Sequence, residues 1–239
     1  MQCKVYTKKM RDLCLKCLRP KDVCLCKYIV PVKTDIKFVF LMHPKEAKKQ
    51  RTGTGRLAAN SLPESEILVG IDFTKNQRLQ ELLNDSQYFP VLMYPAKDAL
   101  TAKSENLKTE LKGKKLLVLL IDSTWFCSHK MLKLSTNITA LPKLSFYGSY
   151  KSIFTFKREP YEYCISTIES CYYLIKELQE NALVSKECNP NPLMSIFKRM
   201  IRFQLEKENE RISSGAIGTH PYDVKYTKIK EIPDFLKED

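Results

Sequence analysis

Three nearly uninterrupted apolar runs, at residues 36–42, 88–93 and 116–121, constrain this chain more than any other feature. A strand with one wet face alternates apolar and polar residues, whereas these runs leave almost no position for water on either side. They read as strands of a sheet covered on both faces. The segments between them carry helical patterns and polar connections, so helices are the cover. The expectation is an α/β domain with a mainly parallel sheet flanked by helices.

Two helices announce their own starts. Ser166, Thr167 and Glu169 form a capping box, followed by Ile168, Cys171, Tyr172, Ile175 and Leu178 on one face. Asn191 and Pro192 read as an N-cap with proline in the first turn, ahead of a stripe of Leu193, Ile196, Phe197 and Met200. No internal repeat or low-complexity linker interrupts the chain. The tail after Gly218 is short and charged, and is expected to be peripheral.

Before the first strand the character changes. Cys14, Cys17, Cys24 and Cys26 lie in two close pairs, and four soft ligands so spaced suit a tetrahedral metal. Zinc is the leading ion, an iron–sulfur cluster is the second reading and chance clustering the third. With four thiolates there is no open position, so such a site is structural. This divides the chain into a cysteine module at 1–30 and a larger domain at 31–239. Cys3, Cys127, Cys164, Cys171 and Cys188 lack that spacing and read as ordinary core or surface thiols.

No apolar run is long enough to cross a bilayer, and the first residues lack the apolar core of a signal peptide. The expected setting is the cytoplasm, where thiols stay reduced and disulfides are a poor explanation for nine cysteines. With 40 Lys and Arg against 27 Asp and Glu, the chain carries a formal charge of +13. That excess suits a polyanionic partner, nucleic acid or an anionic membrane surface. The placement of the charges has to decide. Residues 141–158 hold Lys143, Lys151, Lys157 and Arg158 among Phe146, Tyr147, Tyr150, Phe154 and Phe156, without one acid. Cations beside aromatic faces suit RNA, although alternate aromatics also pack strands into cores. A second cationic run, from Lys45 to Arg56, contains only Glu46 as an acid. Two such segments favour nucleic acid, and neither a membrane nor an obligate protein partner is expected.

Parallel sheets bind ligands beyond the carboxyl ends of their strands. The run at 116–121 leads directly into Asp122, Ser123, Thr124 and Trp125, and the run at 36–42 ends at His43, Pro44, Lys45 and Glu46. Asp122 at such a place is a helix cap or a catalytic acid. His43 is a satisfied buried imidazole or a ligand contact. Thr54, Gly55 and Arg56 are a turn or an anion contact.

Taken in order, these motifs resemble the DTW-domain family of tRNA-uridine aminocarboxypropyltransferases. The likeness spans Cys14 to about Gln204. It rests on the four cysteines with Arg19 and Pro20, then His43, Pro44 and Glu46, then Thr54, Gly55 and Arg56. Next come Asp122, Thr124 and Trp125, the D-x-T-W of the family's name. Arg158, Glu159 and Pro160 follow, then Ser166, Thr167 and Glu169, and finally a helix with Phe197 and Gln204. Ser170 stands where the family commonly carries alanine.

The resemblance implies a SPOUT-like fold with a knot near the cofactor site. It also implies transfer of the 3-amino-3-carboxypropyl group of S-adenosylmethionine to N3 of a tRNA uridine, releasing methylthioadenosine. On that footing Asp122 and Arg158 are the catalytic candidates: one accepts or orients the N3 proton, the other balances the uridine anion. An ordinary aspartate titrates near about 3.9, which favours this shared version over abstraction by Asp122 alone. Ser123, Thr124, Trp125, Ser166, Thr167 and Glu169 are the cofactor candidates. Glu169 either holds the ammonium or serves the capping box. His43, Arg56, Lys151 and Lys157 are the tRNA candidates. A methyltransferase acting on RNA and a non-catalytic, zinc-bearing RNA-binding protein are the rival readings.

Overall fold

A computed structural model describes residues 12–49, 52–154, 164–216 and 228–237. Its centre is a five-stranded sheet with the order β2-β1-β4-β3-β5, in which every neighbouring pair is parallel. The strands are β1 (Lys37–Met42), β2 (Glu66–Val69), β3 (Tyr88–Met93), β4 (Lys115–Asp122) and β5 (Lys143–Leu144). The three apolar runs are β1, β3 and β4, the interior of the sheet. The two edge strands are short, and too little of either is buried to stand out in a sequence.

Helices cover both faces. They are α1 (Pro44–Lys49), α2 (Thr54–Ser61), α3 (Gln77–Asn84), α4 (Glu105–Glu110), α5 (Trp125–Leu134), α6 (Thr136–Thr139), α7 (Thr167–Glu180) and α8 (Asn191–Ser213). β4 shows why a continuous run was needed. Leu116, Val118 and Leu120 point into a core shared with α2, α7 and α8, while Leu117 and Leu119 point into a second core with α3, α5 and α6. Each of these five side chains is buried, and each fully buried one stabilises the fold by about 1.5–3 kcal/mol.

The capping box forms as expected, with Ser166 and Glu169 bonded reciprocally at the start of α7. The last helix starts one residue early. Asn191 is already helical and Pro190 is the cap, because the side chain of Asn189 accepts from the Asn191 N–H at 3.1 Å.

The described part of the tail, 228–237, lies mostly at the surface, but it is anchored. Leu236 is buried in the larger core, and Asn209 of α8 exchanges two hydrogen bonds with the backbone of Lys230. Its apolar residues, Ile232 and Leu236, decide its position over its charges.

The cysteine segment sits on α2 and α8. Leu25 and Val32 join the larger core, Val32 N–H donates to the Ser61 carbonyl at 2.8 Å, and the Arg199 guanidinium lies 4.0 Å from the Tyr28 ring centre. Among the described residues no helix is long and apolar enough to cross a membrane.

Candidate active site

β1 and β4 end side by side, and their last paired residues are Met42 and Asp122. The chain then diverges into α1 from one strand and α5 from the other. This opens a crevice at the carboxyl edge of the sheet, where ligands bind in folds of this type. Asp122, the last residue of β4, is buried, with 7% of its surface exposed. Thr167, the first residue of α7, donates to Asp122 Oδ1 at 2.8 Å. Gly55, in the first turn of α2, packs directly on the same carboxylate. A Cβ there would fall 2.3 Å from Asp122 Cγ, so only glycine lets α2 approach this closely. Three segments far apart in sequence thus converge on one carboxylate.

His43 follows β1 and is buried beside it, its N–H donating to the Asp122 carbonyl at 3.0 Å. Its Nδ1 accepts from the Lys45 N–H at 3.1 Å, which leaves the ring proton on Nε2. Burial, with Lys45 and Lys130 nearby, pushes its pKa below the ordinary value, so the ring is neutral at neutral pH. Arg56 turns the other way. Its Nη2 donates to the Ala47 carbonyl at 3.0 Å and touches Met42 Sδ, tying α2 to α1.

Beside Asp122 the candidates at 123–125 open α5. Thr124 caps the helix by accepting from the Cys127 N–H, and the Ser123 hydroxyl donates to the Thr124 carbonyl. Trp125 lines a cavity of about 320 Å³. The opposite wall is Tyr94 and Pro95 after β3, with Phe146, Gly148 and Tyr150 after β5. Ile165 and Ser170 close it from the α7 side. The cavity is mostly apolar with a few polar groups, and its size falls at the lower end of small-molecule sites.

The wall at 146–154 is held in a way the sequence did not disclose. Glu169 and Glu177 of α7 are both fully buried. Glu169 accepts from Ile153 N–H, Ser152 Oγ, Ser166 N–H and Ser166 Oγ, at 2.6–2.8 Å. Glu177 accepts from Gly148 N–H at 2.8 Å, Tyr150 Oη at 2.9 Å and Tyr147 N–H at 3.2 Å. Burial, and then Glu177, raises the Tyr150 pKa, keeping the phenol protonated to donate. Ser166 and Thr167 spend their hydroxyls on Glu169 and Asp122, so the cofactor candidates on α7 build the frame of the site.

Two of the aromatics of this segment pack on the protein itself, and Phe156 lies outside the described residues. Phe154 packs against Phe197 in the core, and Tyr150 stacks on Tyr173 with ring centres 3.9 Å apart. Lys143 donates to the carbonyls of Thr139 and Leu141. Lys151 is exposed. Lys157 and Arg158 lie outside the described residues.

Cys14, Cys17, Cys24 and Cys26 bring their sulfurs within 4.8 Å of one another. The Cys14–Cys26 and Cys17–Cys24 separations are 3.8 and 3.6 Å. Zinc bonded to four thiolates at about 2.3 Å sets its sulfurs about 3.8 Å apart, so this donor set fits one such ion. Arg19 is buried within electrostatic reach of Cys17, Cys24 and Cys26, where its charge offsets part of that of the thiolates.

Known proteins supply the remaining comparison. A family model described as the DTW domain matches residues 11–205. The chain is 21% identical over 230 residues to tRNA-uridine aminocarboxypropyltransferase 2 of Macaca fascicularis, covering 94% of this chain and 76% of that protein. It is 25% identical to the Mus musculus protein of the same name, over 82% of this chain and 64% of the relative. To tRNA-uridine aminocarboxypropyltransferase A of Arabidopsis thaliana it is 26% identical, over 81% of each chain. No solved structure matches the chain.

Proposed function

The chain belongs to the DTW-domain family, and from that premise we propose that it is a tRNA-uridine aminocarboxypropyltransferase. It would move the 3-amino-3-carboxypropyl group of S-adenosylmethionine to N3 of a tRNA uridine. The observation that carries the reading is a mostly apolar cavity at the carboxyl ends of β3 and β5, lined by Tyr94, Tyr150 and by Trp125, three residues beyond Asp122 at the end of β4. Relatives bearing that enzyme's name align with most of the chain.

S-adenosylmethionine, when bound, supplies a sulfonium whose γ-methylene is the electrophile. Uridine N3 forms a bond to that carbon, the carbon–sulfur bond breaks, and methylthioadenosine leaves with the electron pair. The N3 proton passes toward Asp122, which orients the base, and Arg158 balances the charge that develops on the uracil oxygens. Thr167 and Gly55 fix where the carboxylate points. Trp125 forms the wall for a flat ring, with Ser123 and Thr124 at its foot. Glu169 acts on the cofactor through the 152–153 segment it holds, and Ser166 by donating to Glu169. On the tRNA side, Lys151 and Lys157 would contact the phosphates, with His43 at the end of β1 and Arg56, which ties α2 to α1, as the other tRNA candidates.

The finer fold assignment belongs to the same reading. A SPOUT-like knot would form where the chain leaves β5 at one edge of the sheet and returns to α7 beside Asp122. The sheet order and the Thr167–Asp122 bond support that path. The segment at 1–30 is a module holding one zinc, since sulfurs this close leave room for a single ion and not for a cluster's several atoms. A reducing, cytoplasmic setting suits those thiolates.

The test is incubation of the protein with unmodified tRNA and S-adenosylmethionine labelled separately in the methyl and carboxyl groups. Carboxyl label in the tRNA, with methylthioadenosine released, is expected. Methyl label in the tRNA would make the protein a methyltransferase, and tight binding with neither label a binding protein.

A further inference from the structure

The outer face of α5 combines exposed aromatic rings with lysines. Phe126 is 87% exposed and Trp125, beside it, is 37% exposed. His129, Lys130 and Lys133 continue the exposed side of the helix, and its ten residues include no acid. Among the described residues, neither Lys130 nor Lys133 makes an ion pair. Lys45 and Lys48 of α1, across the crevice, are likewise exposed and outside any ion pair of the described residues. On α8 the opposite holds: Arg202, Lys207 and Arg211 pair with Glu206, Glu210 and Glu208 at 2.7–2.9 Å.

Exposing a phenylalanine to water is unfavourable, and single exposed apolar residues mean little. Phe126 is not single in that sense. It shares the first turn of α5 with Trp125, which walls the cavity and meets the His129 ring edge-on with centres 6.1 Å apart. Lys45 donates its backbone N–H to His43 Nδ1 just beyond β1, whose end pairs with the end of β4 from which α5 departs. The stripe therefore runs from the cavity wall outward as an aromatic face followed by ammonium groups.

Resting on the aminocarboxypropyltransferase reading, we propose that α5 is the tRNA-docking face of this enzyme, with Phe126 stacking on a nucleobase next to the target uridine and Lys130 and Lys133 holding the adjoining phosphates. Aromatic stacking accepts any base, because every base has a π-face, and the lysines follow the backbone without reading sequence. An anionic membrane would also attract lysines beside aromatics. RNA is favoured because the stripe ends at the cavity, where a lipid surface would cover the opening.

The experiment measures the affinity of the full chain for an unmodified tRNA transcript across a salt series, together with kcat and KM for each substrate. Phe126→Ala is expected to weaken tRNA binding about tenfold, as loss of one base stack does, with the salt slope unchanged. The KM for S-adenosylmethionine and the melting temperature stay at wild-type values, since the side chain is exposed. Phe126→Tyr retains affinity and Phe126→Leu does not. Lys130→Ala and Lys133→Ala each reduce the salt slope by about 0.7–0.9, whereas Lys207→Ala on α8 changes neither slope nor affinity.

Wild-type tRNA affinity in Phe126→Ala would overturn the inference, as would full rescue by leucine. So would binding to phosphatidylserine vesicles that falls with Phe126→Ala while tRNA binding does not. The two readings fail separately. Phe126-dependent tRNA binding without group transfer would remove the enzymatic reading alone, and group transfer by Phe126→Ala at wild-type KM for tRNA would remove this one alone.

Discussion

The cysteine segment and the crevice are both convergences of side chains on one point, but they are built by opposite means. The four thiols come from thirteen consecutive residues, 14–26, and meet because the chain between them is short. The crevice gathers Gly55, Asp122 and Thr167, which span more than a hundred residues and meet only because the sheet and two helices bring them together. In the first, the side chains supply the fold. In the second, the fold supplies the side chains. A lost thiol should therefore appear as lost structure, and a lost crevice residue as lost rate.

The sharpest way to break that contrast is to remove one thiol. Cys17→Ser is expected to abolish zinc retention and to unfold residues 12–30, since a structural zinc site contributes on the order of 10 kcal/mol to its module. Because Leu25 and Val32 reach the larger core, the melting temperature of the whole chain should fall as well. Elemental analysis and calorimetry read both effects. Absence of zinc from the wild-type protein would end the metal reading, and iron with visible absorbance would replace it.

Asp122→Asn tests the other side. The shape is kept and the charge removed, so the transfer rate should fall by roughly 10² or more, while zinc content and tRNA affinity hold. A variant that melts like the Cys17 variant would erase the distinction between the two sites.

Gly55→Ala lies between them. The added Cβ collides with the Asp122 carboxylate, and overpacking of this kind costs about 1–3 kcal/mol. The carboxylate or α2 must move, so activity should drop further than stability when kinetics and melting are compared. Thr167→Val is milder. It removes one hydrogen bond to Asp122, worth about 1.5–3 kcal/mol when the acceptor is charged, and kcat should fall by less than Asp122→Asn lowers it.

The smallest effect belongs to neither site. Glu66 at the sheet edge pairs with Lys37 and Arg78, and the Arg78 bond first, then Lys37, lower its pKa to about 2. A depressed carboxylate pKa adds stability above its ordinary value, and that stability is lost as pH falls from about 4.5 toward about 2. Partly exposed pairs contribute about 0–1 kcal/mol, so Glu66→Gln should shift denaturant midpoints slightly at neutral pH and progressively less as pH falls toward about 2. Zinc retention and transfer rate at neutral pH should be untouched.

Local chemistry was legible in the residues themselves. β4 is an unbroken apolar run because both its faces are buried, and Asp122 stands out as its polar end. The capping box at Ser166 and Glu169 needs only three residues of separation, and the thiols only twelve. What stayed hidden was set by partners distant in sequence. Glu177 looks like a solvated helix carboxylate, and its burial depends on a turn thirty residues upstream. The acid-free stretch at 141–158 is fastened by acids outside it, Glu169 and Glu177, which nothing within the stretch announces. Phe126 carries no signal either, because exposure is a property of the packed helix and not of the residue.

Those two glutamates also order events in time. The cavity wall at 146–154 is synthesised before the helix that fastens it, by 16–30 residues. On a growing chain the wall has nothing to bond to until α7 has emerged, although β1 to β4 already exist as chain. Contacts across such separations form late, after the loop entropy of closing them has been met. A nascent chain stopped between β5 and α7 would carry the aspartate and the tryptophan but no closed cavity. Competence to bind a small molecule would then arrive as one of the last events of synthesis.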